Sequence, residues 1–386
     1  MDPGSADGYR VALGDWLACA ARGAEEPAAQ AARVAGEGLL ERVAAAGTAG
    51  HVLDFDDTYL PGLAHLSAAT APAALVVAAE RGATVATALE AYSAGFEAMA
   101  ALARQCHPTL YEGGWHPTAV CGSLGAAVAA VRLLELGGEP ARAAAAIALL
   151  RAGGLRSGFG SAGKSLQVGL AAAAGVAAAR LAEAGARVDL ERALRGPGGF
   201  EEAFGVRVGN LEQTGSAVEE NWIKPWPCCL QTQGAIEAAL RLREVGVEAG
   251  EPIEVLVHPL STAAAPIAEP RDGLEAKFSI PYLTAFALLR GAPAVESFAA
   301  LDDEAIALAG AVRVRSDPAL GESEAVLFAA GEEAARVEAA PGSPASPLSE
   351  AELAAKRRAL AGERLDGALD EPGLAAAELL ESVGLR

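Results

Sequence analysis

A mainly α-helical chain carrying a smaller α+β part is the fold this sequence predicts, and three observations predict it. Alanine, leucine and glycine dominate the 386 residues, with only nine Phe, five Tyr and four Trp. Small side chains at that density let helices approach closely, and alanine has the highest helix propensity. Apolar residues recur at helical spacing through the first half of the chain. At about Asn221 the character changes: Pro225 and Pro227 break the pattern, and strand-like runs follow. Length alone would divide such a chain into two or three domains.

Helix follows helix from Tyr9 to about Gly205. Segments 26–46, 68–82, 86–104, 119–136, 139–153, 164–184 and 188–194 carry the periodicity, and several close on Gly or Pro signals such as GG at 137–138 and GPGG at 196–199. Beyond IKPWP a new helix is expected over 231–245. Strands are expected at 253–258, 311–315, 325–329 and 335–339, with a helix at 279–289 between the first two. Strands mixed with helices mark a second, smaller domain. PGSPASPLS at 341–349 reads as a loop, and 350–383 returns to helical spacing.

The formal charge of −20, from 30 basic and 50 acidic residues, argues against nucleic acid and anionic lipid as partners, because no basic stripe exists to neutralise phosphates. No apolar run resembles a membrane span; the longest candidates, such as 120–134, are Gly/Ala-rich and interrupted by Arg132. MDPGSADGYR is acidic and lacks an apolar core, unlike a signal peptide. A soluble, cytoplasmic protein is expected. The five cysteines form no C-x-x-C pair and read as reduced, packed thiols, and neither a metal nor a cofactor is expected.

The stretch HVLDFDDTYLPGLAHLS, residues 51–67, sets three carboxylates, a threonine and two histidines in an otherwise apolar chain. Asp54, Asp56 and Asp57 cannot share one face of a helix or strand, so at least one points inward. A buried carboxylate beside a hydroxyl and an imidazole can hold the imidazole in place and shift its pKa, as acid/base chemistry requires. Asp57 or Thr58 read as a helix N-cap is the plainer alternative, but it leaves Asp54 and His65 unexplained. His116, in Gly-Trp-His-Pro-Thr before a small-residue helix, suits a neutral hydrogen-bonding role or merely caps a turn. Lys164 stands between GSAG and an apolar helix, where an ammonium and exposed amides together suit a carboxylate. Lys224 lies between Trp222 and Trp226 in a proline-stiffened segment. Tyr282 reads as core from its apolar neighbours, with Arg271 and Lys277 as further cations near it.

These motifs resemble those of the MmgE/PrpD superfamily of 2-methylcitrate dehydratases and cis-aconitate decarboxylases. HxLDFDDT is followed in the family's order by GWHPTAVCGSLGAA at 114–127, GSAGKSLQVGLAAAAG at 160–175, IKPWPCC at 223–229, EAKFSIPY at 275–282 and GSPASPLSEAEL at 342–353. The resemblance implies an all-helical domain of 1–220 completed by 345–386, with an α+β lid of 221–344 inserted between. It implies a homodimer formed through the helical domain. It also implies a pocket between domain and lid lined by Asp54, Thr58, His65, His116, Lys164, Lys224 and Tyr282, binding di- or tricarboxylic acids without metal or organic cofactor.

Departures narrow that expectation. Lys164-Ser165-Leu166-Gln167 replaces a Lys-Pro-Leu-His pattern, and Cys228-Cys229-Leu230-Gln231-Thr232-Gln233-Gly234 replaces Cys-Cys-Arg-His-Thr-His-Gly. Gln167 and Gln233 join Lys164 and Lys224 as expected substrate contacts. Fewer positive groups predict fewer carboxylates on the substrate. The expected activity is a cofactor-independent lyase, dehydratase or decarboxylase, in which His65 moves a proton, Asp54 and Thr58 order it, and His116 and Tyr282 complete the catalytic set. The alternatives are an isomerase or epimerase pairing His65 with Tyr282 or Lys224, a specialised biosynthetic enzyme, and a non-catalytic binder on the same fold.

Overall fold

Helix Leu66–Glu80 is apolar on every side, so it can only be stable surrounded, and its residues 66–78 are all buried. Helices Leu39–His51, Val85–Cys106, Pro117–Leu133 and Gly163–Glu183 pack around it. The computed structural model describes residues 3–209, 211, 216–244 and 252–385. Gly163–Glu183 is long and apolar enough, by length and composition, to cross a membrane, a candidate the sequence reading did not single out. More than half of that apolar stretch is buried here, largely against Leu39–His51 and Pro117–Leu133.

Small residues set these helix separations. A Cβ on Gly169 would lie 2.2 Å from the Ala44 carbonyl oxygen and 2.4 Å from Thr48 Oγ1, so only glycine lets Gly163–Glu183 approach Leu39–His51 this closely. Two helical boundaries differ from expectation. Segment 26–46 is two helices, Pro27–Val34 and Leu39–His51, parted at Gly36 and Gly38, and an N-terminal helix, Pro3–Gly23, begins ahead of Tyr9.

The second core is built on a four-stranded mixed sheet. Strands β1 (Thr58–Tyr59) and β2 (Asn221–Trp222) form a short antiparallel pair that ties the helical part to the chain leading into this core. In the sheet the order is β4 (Val312–Ser316), β3 (Ile253–Val257), β5 (Ala325–Ala329), β6 (Glu332–Val337), with β3 and β4 parallel and the other pairs antiparallel. Ile253, Val255 and Val257 alternate inward along β3. An irregularity at Leu327/Phe328 in the β5/β6 ladder accompanies the earlier start of β6 relative to the expected 335–339. Helices Gln233–Glu244 and Ile280–Arg290 cover the sheet, and the expected end at Val245 lies outside the described residues.

The chain then returns to the first core. Glu350–Ala361, opened by a reciprocal Ser349/Glu352 capping box, packs on Pro3–Gly23, and Ala376–Ser382 packs on Leu66–Glu80. Substituting Gly169→Ala should destabilise the protein by about 1–3 kcal/mol despite alanine's better helix propensity, because backbone and not a flexible side chain meets the new methyl. Urea denaturation of the variant against the parent checks this.

Candidate active site

The site begins where helix Leu39–His51 ends. Asp54 turns the chain with φ of 53°, a left-handed conformation that Asp tolerates better than most side chains. Three successive carbonyls of this turn each accept from a buried lysine: Leu53 from Lys277 at 2.6 Å, Asp54 from Lys224 at 2.6 Å and Phe55 from Lys356 at 2.8 Å. The chain has only four lysines against 26 arginines, and the fourth, Lys164, donates to Asp54 Oδ1 at 3.0 Å. All four therefore converge on one loop. Lys224 also donates to Asp54 Oδ1 at 2.7 Å and to the Cys228 carbonyl at 3.2 Å, which occupies all three of its ammonium protons. Burial works against ionisation of Asp54, but the Lys164 and Lys224 charges outweigh it and hold its carboxyl well below the usual carboxylate range. Burial alone would lower the Lys224 pKa, yet Asp54 and Asp56 hold it above its ordinary value. Burial pushes Lys277 down to about 8.

Asp56 organises the imidazoles. Its Oδ2 lies 2.8 Å from His51 Nδ1 and 3.2 Å from His65 Nδ1, all three side chains being buried. A carboxylate accepts, so His51 places its proton on Nδ1. His65 Nδ1 lies nearer Asp56, at 3.2 Å, than its Nε2 lies to Asp54 Oδ1, at 3.7 Å, which favours the same tautomer and leaves the His65 Nε2 lone pair free. Burial, reinforced by the Lys164 and Lys224 charges, pushes the His65 pKa down to about 3, and the ring is neutral. Thr58 Oγ1 sits 3.4 Å from His65 Nδ1, and the His65 backbone N–H donates to Thr118 Oγ1 at 3.0 Å.

His65 and His116 occupy equivalent positions, each at the N-cap of a core helix with no side-chain capping bond. Both rings are thus left to the site, beside a helix dipole that disfavours the imidazolium. Burial, then Lys164, holds His116 well below the usual histidine range. Gln167 sets its tautomer: Gln167 Oε1 accepts from the Leu155 N–H at 2.9 Å and Nε2 donates to the Leu155 carbonyl at 3.1 Å, which fixes the amide's orientation. The same Nε2 donates to His116 Nδ1 at 2.7 Å, so the His116 proton is on Nε2.

Asp54, Thr58, His65, His116 and Lys164 line one half-open cavity. The other four candidates do not line it. Tyr282 is packed in the second core against Phe286, its hydroxyl accepting from the Asp302 N–H at 3.1 Å, which is the core reading. Lys224 is enclosed by its three acceptors. Gln167 positions His116, and Gln233 Nε2 is turned to the Trp226 carbonyl at 3.2 Å and the Cys228 backbone. Arg271 pairs with Glu275 at the surface, whereas Lys277 is buried on the Asp54 loop. The structure adds residues that the sequence reading did not place in the site: His51 behind His65, Gln231, Tyr111, and the rings of Phe159 and Phe278, which flank Lys164 Nζ at 5.5 and 5.7 Å. The altered CCLQTQG run pointed to Gln231, but nothing linear separates it from Gln233.

Folding also creates a grouping that linear spacing hid. His51, Asp56 and His65 bring one donor atom each within 4.8 Å of one another, a set able to hold a small divalent cation among the described residues. The same atoms satisfy one another by the hydrogen bond and the ion-pair contact above. A metal would have to replace both.

Residues 40–207 match the MmgE/PrpD N-terminal domain and residues 226–381 the MmgE/PrpD C-terminal domain, and together these span most of the chain. The protein belongs to the MmgE/PrpD family. Among curated proteins it is similar to human (Homo sapiens) cis-aconitate decarboxylase, 31% identical over 218 residues, a match covering 51% of this chain and 43% of that protein. The chain thus spans less than half the length of this relative.

Asp57 caps no helix; it is buried in β1's approach and accepts from Asn221 Nδ2 at 2.9 Å. Burial, then the Asp56 charge, pushes its pKa up to about 7. The folded state therefore binds this proton more tightly than the unfolded chain, so its contribution to stability falls as pH rises from the ordinary carboxylate range through 7 and is constant above. Asp57→Asn should gain thermal stability relative to the parent as pH is raised from 4 to 8, and little at the acid end. Paired melting curves across that range check it.

Proposed function

We propose that the protein is a lyase that acts on a small carboxylic acid, removing water or carbon dioxide by proton transfer at the carbon beside the carboxylate. The observation that carries this reading is the joining, in one cavity, of a neutral histidine with a free Nε2 (His65) to an ammonium able to hold a carboxylate (Lys164). Lys164 uses one proton on Asp54 and keeps the others for the substrate. In dehydration, His65 Nε2 takes the proton from the carbon next to that carboxylate, negative charge spreads onto the oxygens at Lys164, and the hydroxyl, hydrogen-bonded by His116 Nε2–H, leaves as water by taking the proton from the His65 imidazolium. In decarboxylation His65 first takes up a proton from solvent, the carbon–carbon bond breaks with loss of carbon dioxide, and His65 Nε2 delivers that proton to the carbon. Either way the imidazolium forms between Asp56 and Asp54, which stabilise it. Family membership and the similarity to a decarboxylase support the lyase class.

An isomerase pairing His65 with Tyr282 or Lys224 loses support, since neither second group lines the cavity. We take the second core, which supplies Gln231 and Phe278, as a lid over the helical part, and infer a homodimer through the helical part, whose Leu170 and Leu181 stand exposed on one helix. Light scattering at micromolar concentration should return twice the chain mass; a monomer mass contradicts the dimer.

Proton NMR in D₂O, with a panel of small acids, tests the activity: deuterium should enter at the carbon beside the carboxylate of acids that bind. His65→Ala should lower turnover by roughly 10²–10⁴-fold while sparing affinity, whereas Lys164→Met should chiefly raise KM. Activity should survive EDTA. Loss with EDTA and recovery with one divalent metal would move the His51, Asp56 and His65 group from hydrogen-bonded relay to ligand set.

A further inference from the structure

The charges around the Asp54 loop constrain the substrate beyond its class. Four buried ammonium groups, Lys164, Lys224, Lys277 and Lys356, meet three buried carboxylates, Asp54, Asp56 and Asp15, while burial holds the neighbouring Asp57 toward its neutral form. One substrate carboxylate brings that enclosed cluster to neutrality. A second would leave it negative among buried side chains, where an uncompensated charge is strongly disfavoured. Among the described residues Lys164 is the only lysine or arginine lining the cavity itself. The nearby Arg156 guanidinium lies over the Tyr111 ring and donates to the carbonyls of Tyr111 and Ala263 at 2.7 and 2.6 Å.

The cavity does hold a neutral donor without a protein partner. Gln231 is buried, and its Oε1 accepts from Ser261 Oγ at 2.9 Å. Its Nε2 is buried and makes no hydrogen bond in the protein. A buried amide N–H without an acceptor is costly, so the cavity's contents must supply one. Leu230 beside it adds no charge.

We propose that the substrate is a monocarboxylate, its carboxylate held by Lys164, that carries an uncharged hydrogen-bond acceptor such as an amide, ester or ketone carbonyl, received by Gln231 Nε2. Gln231 is the specificity-determining residue of the site. This rests on the carboxylic-acid reading above, and the test separates the two because it measures binding, not turnover.

Isothermal titration of the intact protein with matched pairs of four- to six-carbon acids, each diacid against its monoamide, reads the preference directly. Succinate against succinamate is the shortest pair. Monoamides should bind at least about 10-fold tighter than their diacids, the difference a missing counter-charge produces. Leu230→Arg, which adds a cation beside Gln231, should reverse the order. Gln231→Leu should abolish the advantage of monoamides over the corresponding unsubstituted monoacids, such as butyrate, while affinity for butyrate itself persists, which reports an intact Lys164 subsite. Diacids binding the parent as tightly as monoamides would overturn the inference and leave the lyase reading standing. Failure of every acid to bind would overturn both.

Discussion

Three adjacent carbonyls capped by three buried lysines, with a carboxylate between two of the four lysines in the chain, form the constraint on which the molecule is arranged. The lysines come from a helix N-terminus (Lys164), the segment entering the second core (Lys224), the second core itself (Lys277) and the C-terminal helix (Lys356), so one loop registers all parts of the fold. Lys356 also pairs with Asp15 at 2.7 Å, which joins the N-terminal helix to the same point. A compact ammonium can donate to a carbonyl and a carboxylate in one small space, where the planar arginine fork cannot. Removing one partner of such a set leaves a buried charge or carbonyl alone, commonly worth about 3–5 kcal/mol. Stability and site geometry are therefore hard to change separately.

The same loop divides labour between two histidines. Asp56 accepts from His65 and leaves a bare Nε2, whereas Gln167 donates to His116 and leaves an Nε2–H. Two rings of similar burial, each at a helix N-cap, thereby become an acceptor and a donor facing one cavity, with neither carrying charge at rest. His51 supports the first from behind, its ring 4.5 Å from that of His65.

Much of this was legible in the linear order. The carboxylate cluster at 54–57 had to include inward-facing members, because no regular element puts all three on one face. The helical half and the sheet followed from periodicity and from the prolines at 225 and 227. Lysine rarity was the unused signal: in a chain that uses arginine at the surface, four remaining lysines mark places where arginine does not fit, and Lys356 was overlooked. What stayed hidden depended on three-dimensional direction. Lys224 and Gln233 flank the site in sequence but turn toward backbone carbonyls, Gln167 acts through His116, and Tyr282 satisfies its hydroxyl on Asp302. The split of 26–46 into two helices was masked because periodicity carries through a short glycine turn.

Nitrogen-15 NMR of histidine-labelled protein at neutral pH, with resonances assigned by single His→Gln substitutions, tests the central claim most directly. The arrangement around Asp54 and Asp56 predicts a neutral His65 protonated at Nδ1 and a neutral His116 protonated at Nε2, with no imidazolium signal from either. A charged His65, or a His65 protonated at Nε2, would contradict it, since no base would then face the cavity.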